Sequence, residues 1–242
     1  MALDRLLLLG LASACMVAQD WQSLFDGKSL SGWTWEPVGR PGTGVPPSWI
    51  AGGGILRTAP RRGNEVYLLS RGTYRDFELE FEWNAEARSN SGIKYRLQGF
   101  SSKGKPELTY DPDPEAPHRI EPIGLEFQIT DDVGNEDALS SPRHASGALY
   151  DYVEPSGKSK PALAGTWHKG RIVARGLHIE HWIDGECVMK VNLDSAEAEA
   201  SFAISKRKSA SMHRKQARRE SPIALQIHDG IVQFRNIRIR RL

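Results

Sequence analysis

An all-β architecture, a sandwich or a barrel, is what this sequence predicts, and three observations predict it. Eight short segments read as strands, and most alternate apolar and polar residues with the period of two that a strand imposes. Glycine-containing pairs, Arg175-Gly176, Asp184-Gly185 and Asp229-Gly230, punctuate them, and the two Asp-Gly pairs suit tight hairpins. Only "SAEAEASFA" has any helical character, so a regular alternation of strands and helices is excluded. With 242 residues and 39% hydrophobic content the chain can bury one substantial core, which predicts a single domain.

The segments follow in order. "DFELEFEW" (76–83) puts Phe77, Leu79, Phe81 and Trp83 on one face and Glu78, Glu80 and Glu82 on the other. "SGIKYRL" (91–97) opposes Ile93 and Tyr95 to Gly92, Lys94 and Arg96, and the same parity adds Asn90 to the polar set. "LEFQI" (125–129) opposes Leu125, Phe127 and Ile129 to Glu126 and Gln128. "RIVAR" (171–175), "LHIEHWI" (177–183) and "CVMKVNL" (187–193) come next; in the last, Cys187 shares its parity with Met189, Val191 and Leu193, which predicts a buried structural thiol. "IALQI" (223–227) opposes Ile223, Leu225 and Ile227 to Gln226, with His228 continuing the polar parity, and "VQFRNIRI" (232–239) closes the set.

A net charge of +2 is too mild to imply nucleic acid or any strongly charged partner. Arg5 precedes the apolar run "LLLLGLASACMVA", too short to span a membrane, and polar "QDWQSLFDGKSL" follows it. This pattern predicts a signal peptide over 1–18, a domain over 19–242, and a periplasmic or extracellular protein without a transmembrane span. A lipid anchor on Cys15 and a buried N-terminal helix are the alternatives. Cys187 is the only other cysteine, so no intrachain disulfide survives loss or lipidation of Cys15 and no cysteine metal site can form. No cofactor is expected.

Three long loops interrupt the strands. The proline-rich stretch 99–122 cannot be strand throughout and predicts an excursion at one rim of the sandwich. The second loop covers 131–165. The third, 205–220, carries seven Lys and Arg and reads as a solvated excursion, with an anionic partner as the minority reading.

Seven blocks then form a pattern: "LFDGKSLSGWTWE", "YRDFELEFEWN", "NSGIKYR", "GLEFQITDD", "SGALYD", "IEHWIDGE" and "ALQIHDGIVQFRNIRIRRL". In this order they resemble the 3-keto-disaccharide hydrolase domain family, from about Trp21 to Leu242. The resemblance implies a concanavalin A-like jelly-roll β-sandwich, export by a bacterium, and cleavage of glycosides already oxidised to a ketone at sugar C3. Thr166, Trp167 and His168 depart from the family's usual Glu-Trp-Asn block, and the basic stretch 205–220 is unusual for it.

In a jelly roll the polar outer face of a sheet can hold a sugar. Three strands contribute to such a face here: Asn90, Lys94 and Arg96 from one, Glu126 and Gln128 from another, Gln226 and His228 from a third. A C3 ketone acidifies the hydrogen on C2, so a base can remove it and the group on C1 can leave, with water adding afterwards. Glu126 and His228 are the expected acid and base, in either order, with Lys94 or Arg96 at the enolate oxygen. Gln128, Gln226 and Asn90 are expected to bind hydroxyls, Tyr150 and Trp167 to stack on the ring or close the rim, and Asp131 and Asp132 to bind substrate.

Each expectation has a plainer competitor. Glu126 can pair structurally with Lys94 or Arg96, His228 can be an ordinary surface residue, and Asp131 with Asp132 can cap a loop or hold a divalent cation. The glutamate strand imitates the carboxylate strand of jelly-roll glucanases but lacks the aspartate between its glutamates, and reads as a solvated outer face. A noncatalytic carbohydrate-binding module and a structural adhesion domain are the other function classes; the first needs aromatics on the site face and no paired acid and base.

Overall fold

A computed structural model describes residues 20–34, 48–59, 67–102, 105–107, 120–157, 159–205 and 220–242, with side chains omitted for 98–102, 105–107, 120 and 121. The predicted signal segment with Cys15, and most of the basic stretch 205–220, lie outside the described residues.

Two antiparallel sheets form the sandwich. The strands are β1 (Gln22–Ser23), β2 (Trp33–Thr34), β3 (Trp49–Gly52), β4 (Ile55–Thr58), β5 (Leu68–Ser70), β6 (Phe77–Ala85), β7 (Asn90–Ser102), β8 (Lys105–Glu107), β9 (Ile120–Thr130), β10 (His168–Arg175), β11 (His178–Ile183), β12 (Glu186–Asn192), β13 (Ala224–Leu225) and β14 (Val232–Arg241). The first sheet runs β12-β11-β10-β6-β14-β4-β3, with β1 also on β14. The second runs β2-β5-β13-β7-β8, with β9 on the other side of β7. Among the described residues, two short helices, α1 (Glu136–Ser140) and α2 (Ala196–Ile204), and a 3-10 turn, Pro142–His144, lie in the connections. The helix α2 is the "SAEAEASFA" segment, capped by the Ser195 hydroxyl, which accepts from Ala198 N–H.

Alternation decides what lies between the sheets. Phe77, Leu79, Phe81 and Trp83 point inward from β6 and meet Ile93, Tyr95, Leu125, Phe127 and Ile129 from the second sheet; all are buried. Edge-to-face pairs lock the two layers, Phe81 on Phe127 with ring centroids 5.3 Å apart and Phe77 on Tyr95 at 5.8 Å. Gly170 on β10 is required beneath Phe81, because a Cβ there would come within 2.3 Å of the ring. His181 crosses the same core. Its Nδ1–H donates to Gly147 O at 2.9 Å and its Nε2 accepts from Tyr95 O–H at 2.8 Å, which joins β11, β7 and the loop after β9. Burial pushes its pKa down to about 3, against the upward pull of the bond to Gly147.

The structure departs from the sequence reading in three places. Asp184-Gly185 makes the expected hairpin, both residues at positive φ. Asp229-Gly230 does not: it joins β13 in one sheet to β14 in the other, and Asp229 bridges to Asn90. Cys187 is exposed, because a register slip between His181 and Trp182 breaks the parity that keeps Met189 and Val191 inside. The expected excursion 99–122 begins and ends as strand, with Phe100 opposite Pro122. Proline is accommodated there because, among the described residues, β7 is the strand that pairs with this end of β9 and the other edge carries no ladder at Pro122. Among the described residues no helix is long and apolar enough to cross a membrane.

Candidate active site

The outer face of the second sheet is a small grid. Lys94 on β7 stands opposite Glu126 on β9 and Ala224 on β13. One step along, Gly92 stands opposite Gln128, and its carbonyl accepts from Gln226 N–H at 2.9 Å. A further step brings Asn90 opposite Thr130. Beyond β9, Tyr150 N–H donates to Glu126 O at 3.0 Å, so Tyr150 flanks the glutamate on the side away from Lys94. Period-two alternation does this: each core residue on these strands leaves its neighbours on the opposite face.

The face is closed off from water. Lys94 is fully buried and Glu126 is 3% exposed, with Lys94 Nζ 3.6 Å from Glu126 Oε2. The ammonium also donates to Pro122 O at 3.2 Å and lies 5.1 Å from the centroid of the Tyr67 ring. Glu126 lies flat on the sheet because Gly92 has no side chain: a Cβ there would come within 2.6 Å of Glu126 Oε1. Gln128 donates to Asn90 Oδ1 at 3.2 Å and Gln226 donates to Tyr67 OH at 3.1 Å. The remaining oxygens of both carboxamides, Gln128 Oε1 and Gln226 Oε1, are buried without a hydrogen-bond partner among the described residues. Buried acceptors of this kind are costly, and a hydroxyl-bearing ligand would satisfy them.

The other expected residues lie elsewhere or are differently engaged. Arg96 leaves the face: its φ of 51° and the register shift after Tyr95 turn its guanidinium to Asp76, 3.5 Å away at the start of the first sheet's β6. Trp167 lies against the first sheet, with Arg235 stacked 4.0 Å from its centroid. Asp131 accepts from Arg88 N–H at 2.9 Å, and Asp132 from Ser146 and Ala162 N–H at 2.7 Å each, so both tie loops together. Burial raises the Asp132 pKa, and those two hydrogen bonds oppose the rise. His228 is half exposed at the Asn90 end of the face, with Nδ1 2.6 Å from Asp229 Oδ2.

Two features escaped the sequence reading. Tyr67 completes the grid from the residue before β5, and "VYLLS", which places Tyr67 and Leu69 on one parity, was its available signal. His144 is buried between Asp137, 3.0 Å from Nδ1, and Asp151, 3.5 Å from Nε2. It stacks on Tyr150, whose hydroxyl donates to Asp137 at 2.9 Å. No spacing in the sequence announces that cluster, since its members come from α1 and two turns.

A groove of about 870 Å³ is on the opposite side of the sandwich, lined by Trp21, Glu80, Glu82, Arg171, Trp182 and Arg238. Its carboxylates are committed: Glu80 accepts from Arg238 at 2.8 Å and Glu82 from Arg235 at 2.7 Å and Asn236 at 3.0 Å. Glu78 on the same strand holds Arg171 and Arg240. Acid and base chemistry is better served by the buried grid, where polar atoms still need partners.

Fold and site together define a class, an antiparallel β-sandwich whose polar site on one sheet face suits a ligand rich in hydroxyls. Over residues 20–240 the chain matches the 3-keto-alpha-glucoside-1,2-lyase-like domain family, and it belongs to that family. It is 27% identical over 250 residues to a 3-keto-disaccharide hydrolase of Bacteroides thetaiotaomicron, a match covering 93% of this chain and 79% of that protein. Two solved structures from Parabacteroides distasonis, both of candidate glycosyl hydrolases, share the fold. One is 20% identical with a TM-score of 0.70, covering 92% of this chain and 94% of that one. The other is 21% identical with a TM-score of 0.62, covering 93% and 100%.

Proposed function

We propose that this protein cleaves the glycosidic bond of sugars carrying a ketone at C3, by elimination across C1 and C2 followed by hydration. Glu126 takes the proton from C2, the electron pair moves to the C3 oxygen as an enolate, and the enolate then expels the oxygen on C1, which leaves as an alcohol after taking up a proton. Water adds to C1 of the resulting enone and C2 regains a proton, giving net hydrolysis. Lys94 faces the enolate oxygen, and His228, oriented by Asp229, gives the leaving oxygen its proton.

The observation that carries this reading is the buried pair of Lys94 and Glu126, 3.6 Å apart. When Glu126 accepts the proton and becomes neutral, negative charge appears on the enolate oxygen. Lys94 therefore keeps a negative partner through the proton transfer and the enolate, the stage at which charge develops on the sugar. The family and its hydrolase relative support the substrate class. Export from the cytoplasm is part of the same reading, supported by the apolar segment after Arg5; mass spectrometry of protein recovered from the source cells should find residues 1–18 missing.

The test is cleavage of a 3-keto glucoside beside its unoxidised parent in deuterium oxide. Turnover of the first alone, with deuterium at C2 of the sugar product, is expected. Equal cleavage of the parent, or a product without deuterium at C2, would overturn the elimination.

A further inference from the structure

We infer that the site face reads three successive positions of the sugar ring, hydroxyl, ketone, hydroxyl, so that substrates need free hydroxyl groups on both carbons flanking the ketone, C2 and C4. The inference rests on the 3-keto reading and adds to it a requirement on the rest of the ring.

Strand order supplies the argument. Gln128 lies on β9, Lys94 on the central β7 and Gln226 on the β13 side, and both glutamines lie opposite Gly92. The amide nitrogen of each glutamine donates to a neighbour, Asn90 or Tyr67, while its carbonyl oxygen is buried with no partner among the described residues. The two acceptors therefore flank Gly92, and the Lys94 donor stands one step along β7, between their two columns. A ring with C2 hydroxyl, C3 ketone and C4 hydroxyl presents donor, acceptor, donor. The two patterns are complementary, and an additional hydroxyl at C3 in place of the ketone would not be needed by any of the three groups.

The spacing agrees. Strands lie about 4.8 Å apart, so the two glutamine backbones, two strands apart, are separated by roughly 10 Å. Two hydrogen bonds of about 2.8 Å, one from each side, leave room between them for the width of one ring. Gly92, having no side chain, leaves the middle position to the Glu126 carboxylate, which lies over it. A substituent on O4 both removes a donor and adds bulk beside a buried wall, so the face selects a terminal sugar and rejects one extended at C4.

The experiment varies the substrate first, which leaves the protein intact. A 3-keto glucoside, its 2-deoxy and 4-deoxy analogues and its 4-O-methyl ether are compared by kcat/KM on the wild-type protein; the 2-deoxy compound keeps an acidic C2 hydrogen and remains able to eliminate. Each deoxy analogue should lose about 10- to 100-fold, the cost of leaving one buried acceptor unsatisfied, and the ether should not be turned over. Gln128→Ala and Gln226→Ala, checked for folding by circular dichroism, should each abolish discrimination against one deoxy analogue and keep it against the other. Deoxy analogues within twofold of a well-cleaved parent, or variants that keep both discriminations, would overturn the inference while leaving the 3-keto reading standing. A wild-type protein inert toward the parent would sink both.

Discussion

Lys94 and Glu126 face each other across neighbouring strands with their charges 3.6 Å apart, and neither reaches solvent. Burying such a pair is unfavourable unless each charge is compensated by the other and by further contacts, here Pro122 O and the Tyr67 ring for the ammonium. The pair is therefore a poor device for stability alone, and its presence on a sheet face points to use.

Removing one partner should expose that tension. Glu126→Gln or Lys94→Met leaves the other charge buried and is expected to cost about 3–5 kcal/mol in urea unfolding. The double variant Lys94→Met/Glu126→Leu should recover most of that loss. Turnover should fall about 100-fold or more in all three. Recovery of activity together with stability in the double variant would mean that the pair is only structural.

Gly92→Ala tests how Glu126 is held. The new methyl group would lie 2.6 Å from Glu126 Oε1 and 3.1 Å from Phe127 O, so the carboxylate must swing off the sheet. We expect kcat to fall at least about tenfold with KM nearly constant, while overpacking lowers stability by about 1–3 kcal/mol. An unchanged kcat would show that the carboxylate position is immaterial.

Much of this site was legible in the sequence because alternation is a local signal. "GLEFQI", "SGIKY" and "IALQI" each announce a core face through Phe127, Ile93 and Leu225, and thereby the opposite face carrying Glu126, Lys94 and Gln226. The reading failed where one residue slips. At Arg96 a left-handed backbone sends the next expected cation to Asp76, and at Cys187 a bulge turns an expected core thiol outward. Alternation also says nothing of depth: the face was expected to be polar and open, yet Lys94, Glu126, Gln128 and Gln226 are all buried. Trp167 and the loop aspartates lie apart from the grid for a third reason, since their partners, Arg235, Ser146 and Ala162, are remote in sequence or carried by irregular loops, and the aspartates take the loop-tying role that was their plainer reading.

His181 makes stability depend on pH. Folded, its imidazole is neutral with a pKa down at about 3; unfolded, it titrates near the ordinary value of 6.5. Between those values the unfolded chain binds the extra proton, so this contribution is complete above about pH 6.5 and is lost as pH falls towards 3, at up to about 1.4 kcal/mol per pH unit. His181→Gln, which can still donate to Gly147 and accept from Tyr95, should be less stable at pH 7.5 but lose less on going to pH 5. Parallel curves for both proteins would show that His181 does not set the slope.

The glutamates of the first sheet give the opposite expectation. A two-carboxylate glycosidase needs its two carboxyl groups about 5 Å apart if it retains configuration, or about 6.5–9.5 Å apart if it inverts, and free to exchange protons. Glu80 and Glu82 are instead paired with Arg238 and Arg235; burial, the largest single influence on Glu82, raises its pKa, but the hydrogen bonds from Asn236 and Arg235 and the charges of Arg235 and Lys169 outweigh it and the Glu82 pKa is lowered. A carboxylate fixed in that state cannot act as the acid near neutral pH. Glu80→Gln and Glu82→Gln should accordingly leave turnover of a 3-keto glucoside within about twofold and change stability by about 1 kcal/mol or less, as expected for partly exposed ion pairs. A loss of turnover in either variant comparable to that of Glu126→Gln would move the chemistry to the groove beside Trp21 and Trp182, on the other side of the sandwich from Lys94.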